Sequence, residues 1–298
     1  MRSATTWQLR TRSLELGRRT LIMGVVNITP DSFSDGGSFL APDAAVDHAL
    51  KLLEEGADLL DLGAESTRPG SNAGGDAPAV SADEEQSRLL PVLEGVLEER
   101  PDAIVSVDTY KSETARAALV AGAEIVNDVS GFTWDPALAR VCAGHKAGVV
   151  LMHTRGRPED WRSQPQLPPD ELLNTVRSGL AASYAVAQSA GILPHAVVLD
   201  PGYGFGKRLD ENYALLARQR ELLSLGRPLL AGLSRKSFLG HTLAPLYGGS
   251  TAPVTARETA SLAALTAAIV NGASIVRVHA VRPARETARI ADALVTAS

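Results

Sequence analysis

Eight short apolar runs recur along the chain, and each is followed by a stretch with helical spacing. The runs are LIMGVVN (21–27), DLLDLG (58–63), AIVSVD (103–108), EIVND (124–128), GVVLM (148–152), AVVLD (196–200), PLLAG (228–232) and SIVRVH (274–279). Each holds only five to seven residues and is nearly unbroken in hydrophobicity. Strands covered on both faces read this way, whereas half-exposed strands alternate. Between the runs lie AAVDHALKLLEEGA, ADEEQSRLLPVLEGVLEE, SETARAALVAGA, PALARVCAGH, ELLNTVRSGLAASYAVAQSAG, ENYALLARQRELLSL and ARETASLAALTAAIVNGA. A last helical segment, PARETARIADALV, has proline in its first turn, where the missing N–H costs nothing.

Strands alternating with helices give a parallel sheet with right-handed crossovers. Eight such units within 298 residues predict an α/β chain closed into an eight-stranded (β/α)8 barrel, as one domain over 1–298. An open, doubly wound sheet is the structural alternative. Residues 7–18 (WQLRTRSLELGR) alternate loosely and predict a small hairpin under the barrel. Long loops are expected at 28–41, 64–80 and 240–254, the first two rich in Gly, Ser, Pro and Asp.

Composition excludes several classes. The net charge is −5 and no Lys/Arg run exceeds a few residues, unlike a nucleic-acid-binding surface. No apolar run approaches a membrane span of roughly 20 residues, and no secretory leader is visible, so a cytoplasmic protein is expected. The one cysteine, Cys142, reads as a buried thiol. The sequon at Asn27-Ile-Thr is then a chance match.

The ends of the runs carry the chemistry. They deliver Asn27; Asp61 with Glu65-Ser-Thr67-Arg68-Pro69; Asp108; Asn127-Asp128; Met152-His153; Asp200; Ser234-Arg235-Lys236-Ser237; and Arg277-Val-His279. In a barrel the strand ends converge on one rim, where barrel enzymes keep their sites. Each residue also has a bland alternative. Asp108 precedes Thr-Tyr-Lys-Ser-Glu and could be a helix cap. Asp128 reads as structural, and His153 as a satisfied rim histidine. Arg277 and His279 alternate on one strand and therefore share a face, which makes them a candidate anion site. In Asp200-Pro-Gly-Tyr-Gly-Phe-Gly-Lys207 the glycines match neither a dinucleotide-binding loop nor a P-loop. They read as a tight turn around a ligand, with Phe205 as a flat surface. Lys207 is either an anion ligand or a solvated lysine at a helix start. The six histidines show no metal-ligand spacing.

Seven blocks in order are highly specific: MGVVNITPDSFSDGG (23–37), DLGAESTRPGS (61–71), SVDTYKSETARAALVAGAEIVNDVSG (106–131), VVLMHTRGRP (149–158), VVLDPGYGFGK (197–207), GLSRKSFLG (232–240) and IVRVH (275–279). From residue 20 to the end the chain resembles the dihydropteroate synthase family, the pterin-binding (β/α)8 barrels. Departures are Ala280 where the family often has Asp, Ala64 where Gly is common, and Arg157 in place of a small or polar residue.

The resemblance implies a transferase of folate biosynthesis and a target of sulfonamides. It would condense 6-hydroxymethyl-7,8-dihydropterin diphosphate with p-aminobenzoate to dihydropteroate and diphosphate. It implies a pterin site of Asp108, Asn127, Met152, Asp200 and Lys236. It implies a diphosphate site of Asn27, Arg277 and His279, with Mg2+ carried on the diphosphate and held by Asn27. It implies a p-aminobenzoate site of Phe33, Thr67, Pro69, Phe205, Lys236 and Ser237. Loop residues Asp31, Ser34, Asp35 and Arg68 would close over the site, so the catalytic set is Asn27, Asp31, Asp35, Thr67, Arg68 and Lys236. The expected chemistry is early loss of diphosphate, a delocalised pterin cation, and attack by the arylamine. A homodimer through the last helices is implied, with small molecules as the other partners and neither nucleic acid nor membrane. The competing readings are a pterin-binding methyltransferase of corrinoid metabolism, which would not need ESTRPG or SRKS, and a silent pterin-binding paralogue.

Overall fold

The structure, a computed structural model, describes residues 4–28, 42–67, 73 and 80–297. A two-stranded antiparallel hairpin comes first, β1 (Thr5–Gln8) and β2 (Ser13–Leu16). The barrel strands are β3 (Leu21–Asn27), β4 (Leu59–Gly63), β5 (Val105–Asp108), β6 (Ile125–Asp128), β7 (Gly148–Met152), β8 (Val197–Asp200), β9 (Leu229–Ala231) and β10 (Ala273–Val278). They pair in parallel in chain order, and β10 returns to pair with β3, so the barrel is closed. That closure sets aside the open sheet.

The helices are α1 (Pro42–Glu54), α2 (Ala82–Glu99), α3 (Ser112–Ala121), α4 (Leu138–Gly144), α5 (Pro169–Ser189), α6 (Leu209–Ala217), α7 (Ser237–Thr242), α8 (Glu258–Val270) and α9 (Val281–Ala297). α2 begins where Ser81 Oγ accepts from Glu84 N at 3.2 Å, a side-chain cap of the first turn. α3 stops at Gly122, whose φ of 119° ends the helix in a left-handed residue.

Two expectations needed revision. The stretch ENYALLARQRELLSL is not one helix: α6 stops at Ala217 and a 3-10 segment follows over Gln219–Leu225. There the buried Gln219 donates to Ala268 O at 2.9 Å and Asn271 O at 3.1 Å and accepts from Tyr203 Oη at 2.8 Å. Those tertiary bonds override the helical spacing. The expected loop at 240–254 is partly helical, since α7 and the 3-10 turns at Ala244–Tyr247 and Val254–Ala256 fill it.

Strand side chains alternate between the barrel interior and the helices. Ile22, Val26, Leu60, Leu62, Val105, Val107 and Val126 pack outward with the helices in one continuous core. Leu21, Met23, Leu59, Ile125, Val150, Val198, Leu230 and Ile275 form the lower interior layer. Trp7, Leu9 and Leu16 of the hairpin join that layer, each with no exposed surface. Trp7 Nε1 donates to Ala196 O at 2.9 Å, and Thr11 N to the carboxylate of the buried Glu124 at 2.8 Å. The hairpin therefore plugs the N-terminal end of the barrel. No described helix is long and apolar enough to cross a membrane.

Candidate active site

One step above the apolar layer, the same alternation turns polar residues inward. Asp61 of β4 is wholly buried and accepts from Ser106 Oγ at 2.6 Å, Asn127 Nδ2 at 2.9 Å and Arg277 Nε at 2.5 Å. Arg277 also donates from Nη2 to Asp108 Oδ2 at 2.8 Å. Four strands, β4, β5, β6 and β10, thus share one network. The strand register supports it: Asn27, Gly63, Asp108 and Asn127 are successive partners across β3 to β6. Asp108 is therefore an arginine partner inside the barrel rather than a helix cap.

Asp200 ends β8, beside Met152 of β7 in register. Its Oδ1 accepts from Gly202 N at 2.7 Å. That bond depends on the left-handed φ of 70° at Gly202, where an added Cβ would stand 2.0 Å from His153 O. Burial pushes the Asp200 carboxyl up to about 6, against the Gly202 amide and Lys236. Burial also pushes Asp108 upward, with Arg277 opposing. Lys236, half-buried before α7, is pulled down to about 8 by burial, and Asp200 and Asp108 partly offset that. Its ammonium stands 4.0 Å from the centroid of Phe205, a cation over a ring face. Phe205 in turn meets Trp161 edge-on at 5.1 Å. Met152 and Phe205 belong to one apolar patch with Tyr110, Val129 and Trp134.

The anion pair is more constrained than its sequence suggests. Arg277 already engages two carboxylates, and His279 Nδ1 lies 3.0 Å from Ser234 Oγ. Asn27 is half-buried at the tip of β3, and Thr67 is half-buried after β4. Ser237 is exposed at the first turn of α7. Asp31, Phe33, Ser34, Asp35, Arg68 and Pro69 lie outside the described residues.

Three neighbouring groups are scaffolding. Lys207 is neither solvated nor an anion ligand. It is 7% exposed, and its Nζ donates to the carbonyls of Gly202 at 2.8 Å, His153 at 3.1 Å and Phe205 at 3.1 Å. The glycine-rich turn after β8 thus wraps a lysine of its own chain. Asp128 is structural as expected: it accepts from Ser130 N at 2.8 Å and Phe132 N at 2.5 Å, and burial raises it to about 6. His153 is not the satisfied histidine expected. It is buried beside α5, its Nδ1 has no hydrogen-bond partner among the described residues, and burial holds it neutral. Cys142 is buried, and burial raises its thiol far above the ordinary range.

Sequence reasoning had Asp61 at a strand end but gave it no role, and it passed over Ser106. Their signal was periodicity: both stand at inward positions of strands whose lower inward residues are apolar.

Comparison with known proteins gives a uniform result. The family model of the pterin binding enzymes matches residues 23–279. A dihydropteroate synthase of Synechocystis is 41% identical over 278 residues, covering 93% of this chain and 91% of that protein. The Xanthomonas albilineans dihydropteroate synthase with 4-aminobenzoic acid superposes with a TM-score of 0.85 at 39% identity, covering 98% of each chain. The Yersinia pestis dihydropteroate synthase in a sulfonamide drug complex gives a TM-score of 0.87 at 37% identity, covering 99% of this chain and 100% of the other.

Proposed function

The chain belongs to the pterin binding enzyme family, among its dihydropteroate synthases, and on that premise we propose how its barrel mouth divides the work. The reaction is the condensation of 6-hydroxymethyl-7,8-dihydropterin diphosphate with p-aminobenzoate, giving 7,8-dihydropteroate and diphosphate in folate biosynthesis. The pterin lies deepest, with Asp200, Asp108, Asn127 and Lys236 at its edges and Met152 on its face. A pterin edge offers paired N–H donors, and a buried carboxylate accepts them best. The observation that carries this reading is Asp200: the Gly202 amide holds one oxygen, and the other stands 3.9 Å from where a Cβ on Gly232 would be. The missing side chain at Gly232 leaves room there for a flat ring.

Asn27, Arg277 and His279 take the diphosphate. Asn27 fits magnesium as a single oxygen ligand: it offers one neutral amide oxygen at a strand tip, and a hard cation keeps most of its shell for phosphate and water. The ion, if held there, would neutralise charge on the diphosphate. Arg277 stays paired with Asp61 and Asp108, which fixes where its guanidinium stands. The carboxylates of Asp108 and Asp200 lower the free energy of positive charge on the pterin as its bond to diphosphate breaks. Phe205, Lys236, Ser237 and Thr67, with Phe33 and Pro69, line the p-aminobenzoate side, and Asp31, Asp35 and Arg68 complete the catalytic set. The arylamine needs no strong base, so positioning supplies most of the rate. The same side would take sulfonamides.

We propose further that the chain is a homodimer through its last helices. Ile290 and Leu294 of α9 are 66% and 55% exposed, and Leu246 and Val254 before α8 are 78% and 52% exposed. Ile290 and Leu294 are four residues apart and share one face of α9, and exposed apolar side chains favour association. Diphosphate release measured with and without p-aminobenzoate tests the functional reading. Release that requires both substrates supports it; release indifferent to the arylamine refutes it.

A further inference from the structure

A second group of buried charges sits on the same rim, outside the pterin layer. Lys111 lies three residues beyond Asp108 and just before α3, with its side chain 9% exposed. Its ammonium bonds Glu65 Oε2 and lies 3.2 Å from Glu85 Oε2, on side chains that are 4% and 1% exposed. It also stands 4.5 Å from the centroid of Tyr110, which meets Trp134 edge-on at 5.1 Å. Glu85 Oε2 accepts further bonds from Thr109 at 3.2 Å and Thr114 at 2.7 Å. Glu65 belongs to the chain after β4, Glu85 to the first turn of α2, and Lys111, Thr109 and Thr114 to the junction of β5 and α3. One ammonium therefore ties three elements together.

Stability alone is a weak reason for such a group. Each buried charge carries a desolvation cost of several kcal/mol, and apolar side chains of similar volume often do as well. A buried charge cluster does impose one geometry on the segments it joins, and its place makes that geometry matter. Glu65 is two residues before Thr67. Its Oε1 is buried with no hydrogen-bond partner among the described residues, so Lys111 is the group that holds this carboxylate. The other end of the tie is the strand that carries Asp108.

We propose that Lys111 is a positioning residue for the condensation: by clamping Glu65 against Glu85, it sets the height at which the chain leaving β4 presents Thr67 to the p-aminobenzoate side. The proposal rests on the reading of Thr67 given above. Lys111 touches neither substrate and acts through Glu65.

The test is steady-state kinetics with both substrates, well below the unfolding temperature, on the full chain. Lys111→Met is expected to raise KM for p-aminobenzoate about tenfold or more, on the scale that small misplacements produce. Affinity for the pterin diphosphate, measured by calorimetry, stays within about twofold because the Asp61 network is untouched. Lys111→Arg, which can still bridge two carboxylates, recovers most of the loss. If Lys111→Met does not fold, Glu65→Gln carries the test, since it keeps the shape and removes the charge. Combining Thr67→Ala with Lys111→Met should add little beyond Thr67→Ala, as expected of residues on one path. A lower melting temperature with unchanged KM would mean a purely structural role and overturn the proposal. If Thr67→Ala itself leaves KM unchanged, the reading of Thr67 fails and the proposal falls with it. If Thr67→Ala raises KM while Lys111→Met and Glu65→Gln do not, the proposal alone is overturned.

Discussion

Asp61 and Arg277 are 216 residues apart in the chain and meet at 2.5 Å inside the barrel. Asp61 has no exposed surface and holds β5 and β6 through Ser106 and Asn127 as well. Breaking a buried pair by removing one partner typically costs about 3–5 kcal/mol. Asp61→Ala should therefore lower the unfolding free energy read from urea denaturation by an amount in that range, with an unchanged slope, and should weaken pterin binding too. A loss under about 1 kcal/mol would show that solvent reaches Arg277 freely.

Arg277 supports Asp108 and is proposed to bind diphosphate, so its removal should act on two ligands unequally. Arg277→Ala is expected to cost about 2–3 kcal/mol in affinity for the pterin diphosphate, the scale of a hydrogen bond to a charged group. For the pterin alcohol the loss should be about 1 kcal/mol, through Asp108 alone. Calorimetry with both ligands decides it. Equal losses would remove Arg277 from the diphosphate site.

The pH dependence of pterin binding follows from Asp200 and Lys236. The pterin donates to ionised Asp200, which burial has raised to about 6, so affinity should fall as the pH drops through that value. Lys236 must carry its proton to donate, and burial has lowered it to about 8, so affinity should fall again as the pH rises through that value. A plot of kcat/KM for the pterin diphosphate against pH should be bell-shaped, with a basic limb near 8 and an acid limb near 6 or above, since Asp108, also raised by burial, must be ionised as well. A flat profile from pH 5 to 9 would remove both groups from the free enzyme's essential set.

Gly202→Ala should be harmful despite adding one methyl group. The residue has φ of 70°, and the new Cβ would meet His153 O at 2.0 Å. Strain of this kind costs about 1–3 kcal/mol, and relieving it would break the bond from Gly202 N to Asp200. Melting temperature and pterin affinity should fall together. Wild-type affinity in a folded variant would show that Asp200 does not need that amide.

The barrel was legible because strands buried on both faces leave continuous apolar runs, and nearly every run ends in or leads to a polar residue at the rim. Asp108, Asn127, Asp200 and Lys236 could be found that way. The pairings could not. Asp61 reads as one acidic residue among several, since its three donors come from strands 45, 66 and 216 residues away. Lys111 carries no sequence signal of its burial, and only the fold shows that it is enclosed. Lys207 misled for the same reason: its three acceptors are backbone carbonyls, which leave no trace in side-chain identity. Helix α6 ended early because Gln219 found partners in another part of the chain.

The N-terminal hairpin, with Trp7 and Leu9 seated in the lower layer, makes the barrel a vessel with a single door. Substrates cannot enter from one side while products leave by the other. On the placement proposed above, the pterin would go in first, because an arylamine seated above it would block the way. On the same placement dihydropteroate would keep its pterin end lowest and would withdraw past the side chains of the arylamine side before the next pterin could arrive. Turnover would then be a queue through one opening, with the product competing with the incoming pterin for the same place in it.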